Sequence, residues 1–158
     1  MHRIGFTTSF LQRISIMLRF DLPPVWSRVT RAEAFVNFLI CGAALLFSPW
    51  LMAILVVQGF VRGFLGHYKC PLHRALAWSF EAGNCAGRKE NPGAKMFANK
   101  ILFIASSVSV AAYAMDSELW MVPCIVLMVF TTLEWALSFC AACWVYGFWY
   151  SKFPPKIV

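Results

Sequence analysis

The longest apolar stretch of the chain lies at residues 119–150 and reads LWMVPCIVLMVFTTLEWALSFCAACWVYGFWY, with Glu134 as its one charged residue. About 20 apolar residues in a helix span the hydrocarbon core of a bilayer. Three further stretches with almost no charge lie at residues 34–47, 50–66 and 97–115. The lengths predict four transmembrane helices, at about residues 31–47, 49–67, 96–115 and 119–150, the last with an aromatic end that leaves the membrane at the headgroup level.

The composition disfavours several classes of protein. Apolar residues make up 60% of the 158 residues and charged residues 13%, against about 45–50% and 25% in an ordinary soluble domain. A single small core cannot hide that much apolar surface from water. A soluble enzyme, a disordered tail and a secreted disulfide scaffold are therefore disfavoured, and the sequence predicts an all-α integral membrane protein.

Turn signals between the apolar stretches predict a transmembrane four-helix bundle made of two helical hairpins. Thr30 and Glu33 form a capping-box pattern at the start of the first helix, in which each side chain satisfies a free backbone donor. Ser48 and Pro49 suit the cap and the first turn of the second helix. The predicted domains are an N-terminal segment at 1–27, a transmembrane domain at 28–150 with a basic loop at 68–95, and a basic tail at 151–158.

The N-terminal segment has the pattern of an amphipathic helix that lies in the membrane interface. Between residues 8 and 19, large apolar side chains share one helical face and polar side chains share the other. Arginine and serine without an acidic residue before Asp21 also resemble a mitochondrial transit peptide. We expect a retained surface helix, with a cleaved transit peptide as the alternative.

Lysine and arginine predict the orientation of the helices. These residues occur in the N-terminal segment, the loop at 68–95 and the tail, and the two tight turns have none. Positive residues favour the cytoplasmic side, so both termini are expected to face the cytoplasm from a bacterial inner membrane, or the matrix from a mitochondrial inner membrane. The formal net charge of +7 is explained by this topology and by attraction to the anionic headgroups of the lipid bilayer. Nucleic acid is therefore not an expected partner.

Two charges are predicted to meet inside the bundle. Arg62 and Glu134 lie 12 and 14 residues after the first tryptophan of their stretches, so they lie at similar depth if both tryptophans mark the outer interface. An isolated charge there costs several kcal/mol. We expect the two to pair, as a salt bridge that fixes the bundle or as part of a proton or ion relay. Asn37 and Asn99 are candidates for hydrogen bonds between helices.

Four of the six cysteines are expected on one side of the membrane. Cys140 and Cys143 form a CxxC motif, and thiols at i and i+3 of a helix share a face, close enough to cycle between dithiol and disulfide. Cys70 and Cys85 are candidate resolving thiols for a mixed disulfide. A weaker alternative is a metal site of Cys70, Cys85, Cys140 and Cys143, with His67 or His73 as a further ligand.

The predicted position of the CxxC motif in a long helix opposes thiol reactivity. Thioredoxin-like motifs place their cysteines at a helix N-terminus, where the helix dipole lowers the pKa of the attacking thiol. In the inner half of a helix the dipole is expected to act against a thiolate. Basic residues such as Lys69 or Arg74 would then have to compensate.

The run Ser138–Tyr146, reading SFCAACWVY, resembles the Gly-Phe-Cys-x-x-Cys-x-x-Tyr ending of the four-helix membrane family known as domain of unknown function 4395. Other similar features are Arg31 and Asn37 in the first helix, a Ser-Pro-Trp turn after it, and a Pro-x-x-Arg element formed by Pro71 and Arg74. The resemblance covers about residues 28–150. It implies the membrane fold and highlights the CxxC pair and the inner-face residues Asn37, Pro71 and Arg74. Serine replaces the glycine at 138, and Cys70 stands where the family more often has serine.

Two functions are left as alternatives. In the first, the CxxC pair handles thiols or sulfur compounds and exchanges with a thiol carrier, while the basic loop docks an acidic partner or an anion. In the second, the protein is a non-catalytic accessory subunit of a larger membrane complex, and its cysteines are structural. A transporter would need a homo-oligomer, because four short helices leave little room for a cavity. The sequence contains no phosphate loop, Ser/His/Asp set or HExxH motif and identifies no cofactor.

Overall fold

The computed structural model describes residues 24–85, 87–90 and 92–152, and it is helical almost throughout. The helices of this part are α1 (Ser27–Leu46), α2 (Met52–Phe60), α3 (Pro71–Ala82), α4 (Pro92–Ala114), α5 (Met121–Leu137) and α6 (Ala141–Lys152). Two short strands, β1 (Val25–Trp26) and β2 (Lys89–Glu90), pair antiparallel. The predicted N-terminal amphipathic helix and the end of the basic tail lie outside the described residues.

The predicted all-α fold with membrane-compatible helices is confirmed. The segments Ser27–Leu46, Pro92–Ala114 and Glu118–Leu137 are long and apolar enough to cross a membrane, and Pro49–Leu65 is a shorter apolar segment. Large side chains such as Leu39, Val57, Ile104 and Val129 are exposed on the outside. Lipid tails, unlike water, accept such a surface at no cost.

The principal helix contacts join the two predicted hairpins to each other. Helix α1 packs mainly along α5, and α2 packs along α4. Their shared core contains Cys41, Met52, Leu55, Leu102 and Cys124. Buried thiols behave as small apolar groups, and the Cys124 Sγ lies 3.6 Å from the Cys41 carbonyl oxygen.

The chain between α2 and α4 is more ordered than the loop predicted at residues 68–95. After α2, a π-helical turn (Val61–Leu65) ends at Gly66, whose φ of 104° suits glycine. A 3₁₀ turn (His67–Lys69) follows, and Pro71 then opens α3 with its fixed backbone angle. The charged composition of this segment concealed α3, whose inner face carries only two buried side chains, His73 and Ala77.

The fourth apolar stretch is not one helix to residue 150. Ser138 has φ 56° and ψ 23°, a left-handed conformation that ends α5 at Leu137. The backbone N–H groups of Ser138 and Phe139 both donate to the Leu133 carbonyl oxygen, so the helix end is capped. A new helix, α6, begins at Ala141. No glycine or proline marks this break, and hydropathy continues unchanged across it.

Candidate functional site

A cavity of about 200 Å³ lies between α1, α4, α5 and the start of α6. Aliphatic and aromatic side chains, among them Leu102, Leu127 and Phe130, form most of its wall. The polar side chains around it include Glu33, Asn37, Arg62, His67, Lys95, Asn99 and Glu134, and Cys140 also lines it. The fold therefore brings the CxxC motif and the buried charges to the same space.

The break after α5 places the CxxC motif at a helix N-terminus. Cys140 directly precedes α6, and its carbonyl oxygen accepts the Trp144 N–H at 3.0 Å, the first hydrogen bond of that helix. The backbone N–H of Cys143 donates to the Cys140 Sγ at 3.3 Å. The Cys140 sulfur thus occupies the position of an N-cap acceptor.

This arrangement separates the pKa values of the two thiols. The pKa of Cys140 is lowered, chiefly because the Cys143 thiol donates a hydrogen bond to it, with help from Lys95 and the Cys143 N–H. The pKa of Cys143 is raised, because that hydrogen bond holds its proton and because it is buried. The expectation that the helix dipole opposes a thiolate was wrong, since the positive end of α6 faces Cys140.

Lys95 links the thiols to the acidic side chains. Its Nζ lies 2.6 Å from the Glu134 carboxylate and 3.0 Å from that of Glu90. Lys95 is only 7% exposed, and burial of an ammonium requires such partners. Its charge favours the thiolate form of both cysteines. The two carboxylates therefore hold a cation beside the CxxC pair.

A second ion pair also lines the cavity. The Arg62 guanidinium lies 3.2 Å from the Glu33 carboxylate, which the His73 ring nitrogen Nδ1 also contacts at 3.0 Å. Arg62 also donates to Asn37 at 3.3 Å. The predicted pairing of Arg62 with Glu134 was wrong, because Glu33 on α1 meets the arginine and Lys95 takes the Glu134 carboxylate.

His67 lines the cavity and forms a hydrogen bond with Asn99. The Asn99 side-chain amide donates to the His67 Nε2 at 3.1 Å and to the Lys95 carbonyl oxygen at 2.9 Å. Burial lowers the pKa of His67 to about 4, and the attraction of Glu33 only partly offsets this. The neutral ring is also the form that can accept from Asn99 at Nε2. Both candidate asparagines thus hydrogen-bond to side chains of other elements.

The candidate residues Cys70, Cys85 and Arg74 are not among the residues that line the cavity. Cys70 is buried at the start of α3, and Cys85 is exposed, with its carbonyl oxygen accepting from Arg28. Arg74 is exposed on α3, whereas its neighbour His73 faces inward. Within the described residues, no three His, Cys, Asp or Glu side chains are arranged to hold a metal ion. The alternative four-cysteine metal site is therefore not formed.

Sequence reasoning missed Glu33 and Lys95 as members of the site, and it considered His73 only as a further ligand of a metal ion. Glu33 was assigned to a capping box, but α1 begins at Ser27, so Glu33 lies in the second turn and is 3% exposed. Thr30 instead donates to the Ser27 carbonyl oxygen. The available signal was the position of Glu33 directly before the apolar stretch at residues 34–47, which contains no lysine or arginine. A buried carboxylate there needs a cation from another element.

The comparisons with known proteins identify a family without an assigned activity. The family described as "Domain of unknown function (DUF4395)" matches residues 25–151. The chain therefore belongs to this family, and the resemblance seen in the CxxC run is confirmed. No curated protein and no solved structure matches the chain.

Proposed function

We propose that this member of the DUF4395 family is a membrane protein that exchanges electrons with a dithiol carrier through Cys140 and Cys143. The observation that carries the proposal is the hydrogen bond from the Cys143 N–H to the Cys140 Sγ at the start of α6. A helix N-terminus stabilises a thiolate. The neighbouring Cys143 thiol supplies the second sulfur at the spacing that disulfide exchange requires.

The lowered pKa of Cys140 sets the preferred direction of exchange. A stabilised thiolate favours the reduced form of a CxxC pair, so the corresponding disulfide is a stronger oxidant. A low-pKa thiol is also a good leaving group. The oxidised pair should therefore accept electrons from a carrier rather than donate them.

The exchange can be written with all electrons and protons assigned. A carrier thiolate attacks the Cys140 sulfur, breaks the bond to Cys143 and forms a mixed disulfide, and the Cys143 thiolate takes up a proton. The second carrier thiolate then attacks the carrier sulfur and displaces Cys140 as a thiolate. Two electrons pass to the cysteine pair, the carrier becomes a disulfide, and one of its two protons is released.

Neighbouring groups suit these steps. Lys95 stabilises negative charge on either cysteine sulfur, and Glu134 holds the ammonium at 2.6 Å. Cys143 takes the resolving role considered for Cys70 and Cys85, because its thiol contacts Cys140. The basic segment between α2 and α4 supplies the surface for an acidic carrier on the cytoplasmic or matrix side.

Glutathione disulfide tests this proposal with a defined reagent. The purified, reduced full-length protein is incubated with it, and the products are identified by mass spectrometry. In Cys143→Ala we expect a stable glutathione adduct on Cys140, because no resolving thiol remains. The wild-type protein should instead accumulate the Cys140–Cys143 disulfide.

A matched control variant tests whether the reaction is specific to the CxxC motif or common to any exposed thiol. Cys85→Ala removes an exposed cysteine outside the cavity, and it should leave the Cys140–Cys143 product unchanged. If both motif cysteines of the wild type stay reduced under conditions that modify Cys85, the exchange function is wrong. That result would favour the accessory-subunit alternative.

A further inference from the structure

We propose that the cavity beside Cys140 binds the ring of a lipid-soluble quinone, which reoxidises the cysteine pair. This inference rests on the proposed exchange function, because a pair that takes electrons from a carrier must pass them on. The size, charge, hydrogen-bonding groups and location of the cavity each bear on the class of acceptor.

The cavity has the size of a single ring. An apolar protein cavity of about 150 Å³ holds benzene, and this cavity measures about 200 Å³. Its wall is mainly apolar, with Leu102, Leu127, Phe130 and Val145 among the lining side chains. A six-membered ring with two carbonyl oxygens fits this volume, whereas a peptide or a nucleotide does not.

The charges of the cavity favour an uncharged ligand. The cations Arg62 and Lys95 line it together with the anions Glu33 and Glu134, and each cation is paired with one of these anions. The His67 ring is neutral near pH 7, because burial lowers its pKa to about 4. With no net positive charge in its wall, the cavity is not suited to a sulfur oxyanion or another small anion.

One buried donor at the cavity has no partner. Arg62 lines the cavity and is 1% exposed, and within the described residues its Nε–H has no hydrogen-bond acceptor. Leaving a buried donor unpaired is costly, so its presence indicates a ligand that brings an acceptor. A quinone carbonyl oxygen is such an acceptor. With that oxygen bound to Arg62, the ring lies against the apolar side chains of the cavity.

The cavity is also placed for access from the bilayer. Phe130 lines the cavity and is 45% exposed on the outside of α5, and Val145 on α6 is 48% exposed. Phe130 belongs to a segment that is long and apolar enough to span the membrane. Side chains that line the cavity therefore also belong to the outer surface that suits lipid, in which quinones dissolve.

The reaction balances. A disulfide bond forms between the Cys140 and Cys143 sulfurs, and the quinone accepts both electrons. It takes one proton from the Cys143 thiol and one from water to become the quinol. Cys140 contributes its sulfur as the thiolate and loses no proton in this step.

The test uses the reduced full-length protein in detergent and a decyl-substituted benzoquinone whose ring carbons carry no hydrogen, so that thiols do not add to the ring. Quinone loss is followed by absorbance, and remaining thiols are counted by mass tagging. We expect equimolar conversion to quinol with loss of both motif thiols, and none in Cys143→Ala. Ala98→Leu places a larger side chain in the cavity wall and should slow the reaction, because the leucine occupies space that the ring needs.

Ala111→Leu is the matched control, because Ala111 lies on the same helix at an exposed position outside the cavity. It should react at the wild-type rate. Equal rates in Ala98→Leu and the wild type would overturn the cavity site, as would wild-type protein that forms the disulfide with glutathione disulfide yet leaves the quinone unreduced. Failure with glutathione disulfide as well would show instead that the exchange function itself is wrong.

Discussion

Two backbone positions, Ser138 and Cys143, determine the hydrogen bonding of the Cys140 sulfur. Ser138, in a left-handed conformation, stops α5 and turns the chain. The Cys143 N–H, at the start of α6, then points at the Cys140 sulfur. A continuous helix would have directed that N–H to the carbonyl four residues earlier. The chemistry of the thiol therefore depends on the serine two residues before it.

Substituting Ser138→Gly should stabilise the protein. A left-handed conformation costs an L-residue about 1–2 kcal/mol, and the greater freedom of glycine in the unfolded chain offsets about 0.5–1 kcal/mol of the gain. We expect the free energy of unfolding in detergent to rise by about 0.5–1 kcal/mol, as measured by circular dichroism. Ser79→Gly, in the regular helix α3, should lower it by a similar amount.

A loss of stability in Ser138→Gly as large as that in Ser79→Gly would contradict the left-handed conformation.

The two motif thiols should differ in the pH dependence of their alkylation. The thiolate is the reactive form, and the pKa of Cys140 is lowered whereas that of Cys143 is raised. As the pH falls from alkaline to neutral, Cys143 should therefore lose reactivity first and Cys140 last. Iodoacetamide labelling of each cysteine, followed by peptide mass spectrometry, measures both profiles with Cys85 as an internal reference.

A pair of variants identifies the cause of the Cys140 shift. Cys143→Ala removes the thiol donor and should move the Cys140 profile to higher pH. Cys143→Ser keeps a hydroxyl donor and should restore much of the shift. Parallel profiles for Cys140 and Cys143 in the wild type would be incompatible with the hydrogen bond between their side chains.

At the scale of the elements, hydropathy predicts where the helices lie but not where they break or which ones touch. Helices α1, α2, α4 and α5 each overlap one of the apolar stretches, with bounds that differ from the predicted ones. The end of α5 at Ser138 depends on a single backbone angle, and no residue type marks it. The partner of Arg62 depends on how α1 and α2 face each other, which composition and depth alone do not determine.

Helix α2 packs closely on α4 at Gly59. A Cβ added at this position would lie 2.7 Å from the Phe103 backbone nitrogen, so the two helices would have to separate. Gly59→Ala should therefore destabilise the protein by about 1–3 kcal/mol, as read from its thermal unfolding in detergent. Gly42→Ala is the matched control, since nothing lies within 4 Å of the added Cβ.

Gly42→Ala should be neutral or stabilising, because alanine favours a helix by up to about 1 kcal/mol relative to glycine. If Gly59→Ala were equally well tolerated, the close contact between α2 and α4 would be in error.

At the scale of the whole molecule, the fold joins an apolar outer surface to a cavity lined by paired charges. Leu39, Ile104 and Val129 face outward, while both buried cations meet carboxylates at the cavity. The sequence predicted buried charges and a CxxC pair as separate features. Only the packing of α1, α4, α5 and α6 brings them to one site.

The orientation predicted from lysine and arginine places Cys85 on the cytoplasmic or matrix side. In sealed bacterial membrane vesicles, a membrane-impermeant maleimide should label exposed Cys85 from that side only. Glu118→Cys in a Cys85→Ser background provides the opposite position, in the turn before α5, and should be labelled from the other side only. Labelling of both positions from the same side would refute the predicted topology.

The most direct test of the central claim is a redox titration of Cys140 and Cys143 in native membranes. Membranes are equilibrated across a glutathione series with and without a strong chelator, and free thiols are counted by mass tagging. We predict that the two thiols convert together as a two-electron couple, between about −270 and −120 mV, the range of thioredoxin-like CxxC pairs, and that chelator has no effect. Motif thiols that stay reduced throughout the series, or that become accessible only with chelator, would contradict the account.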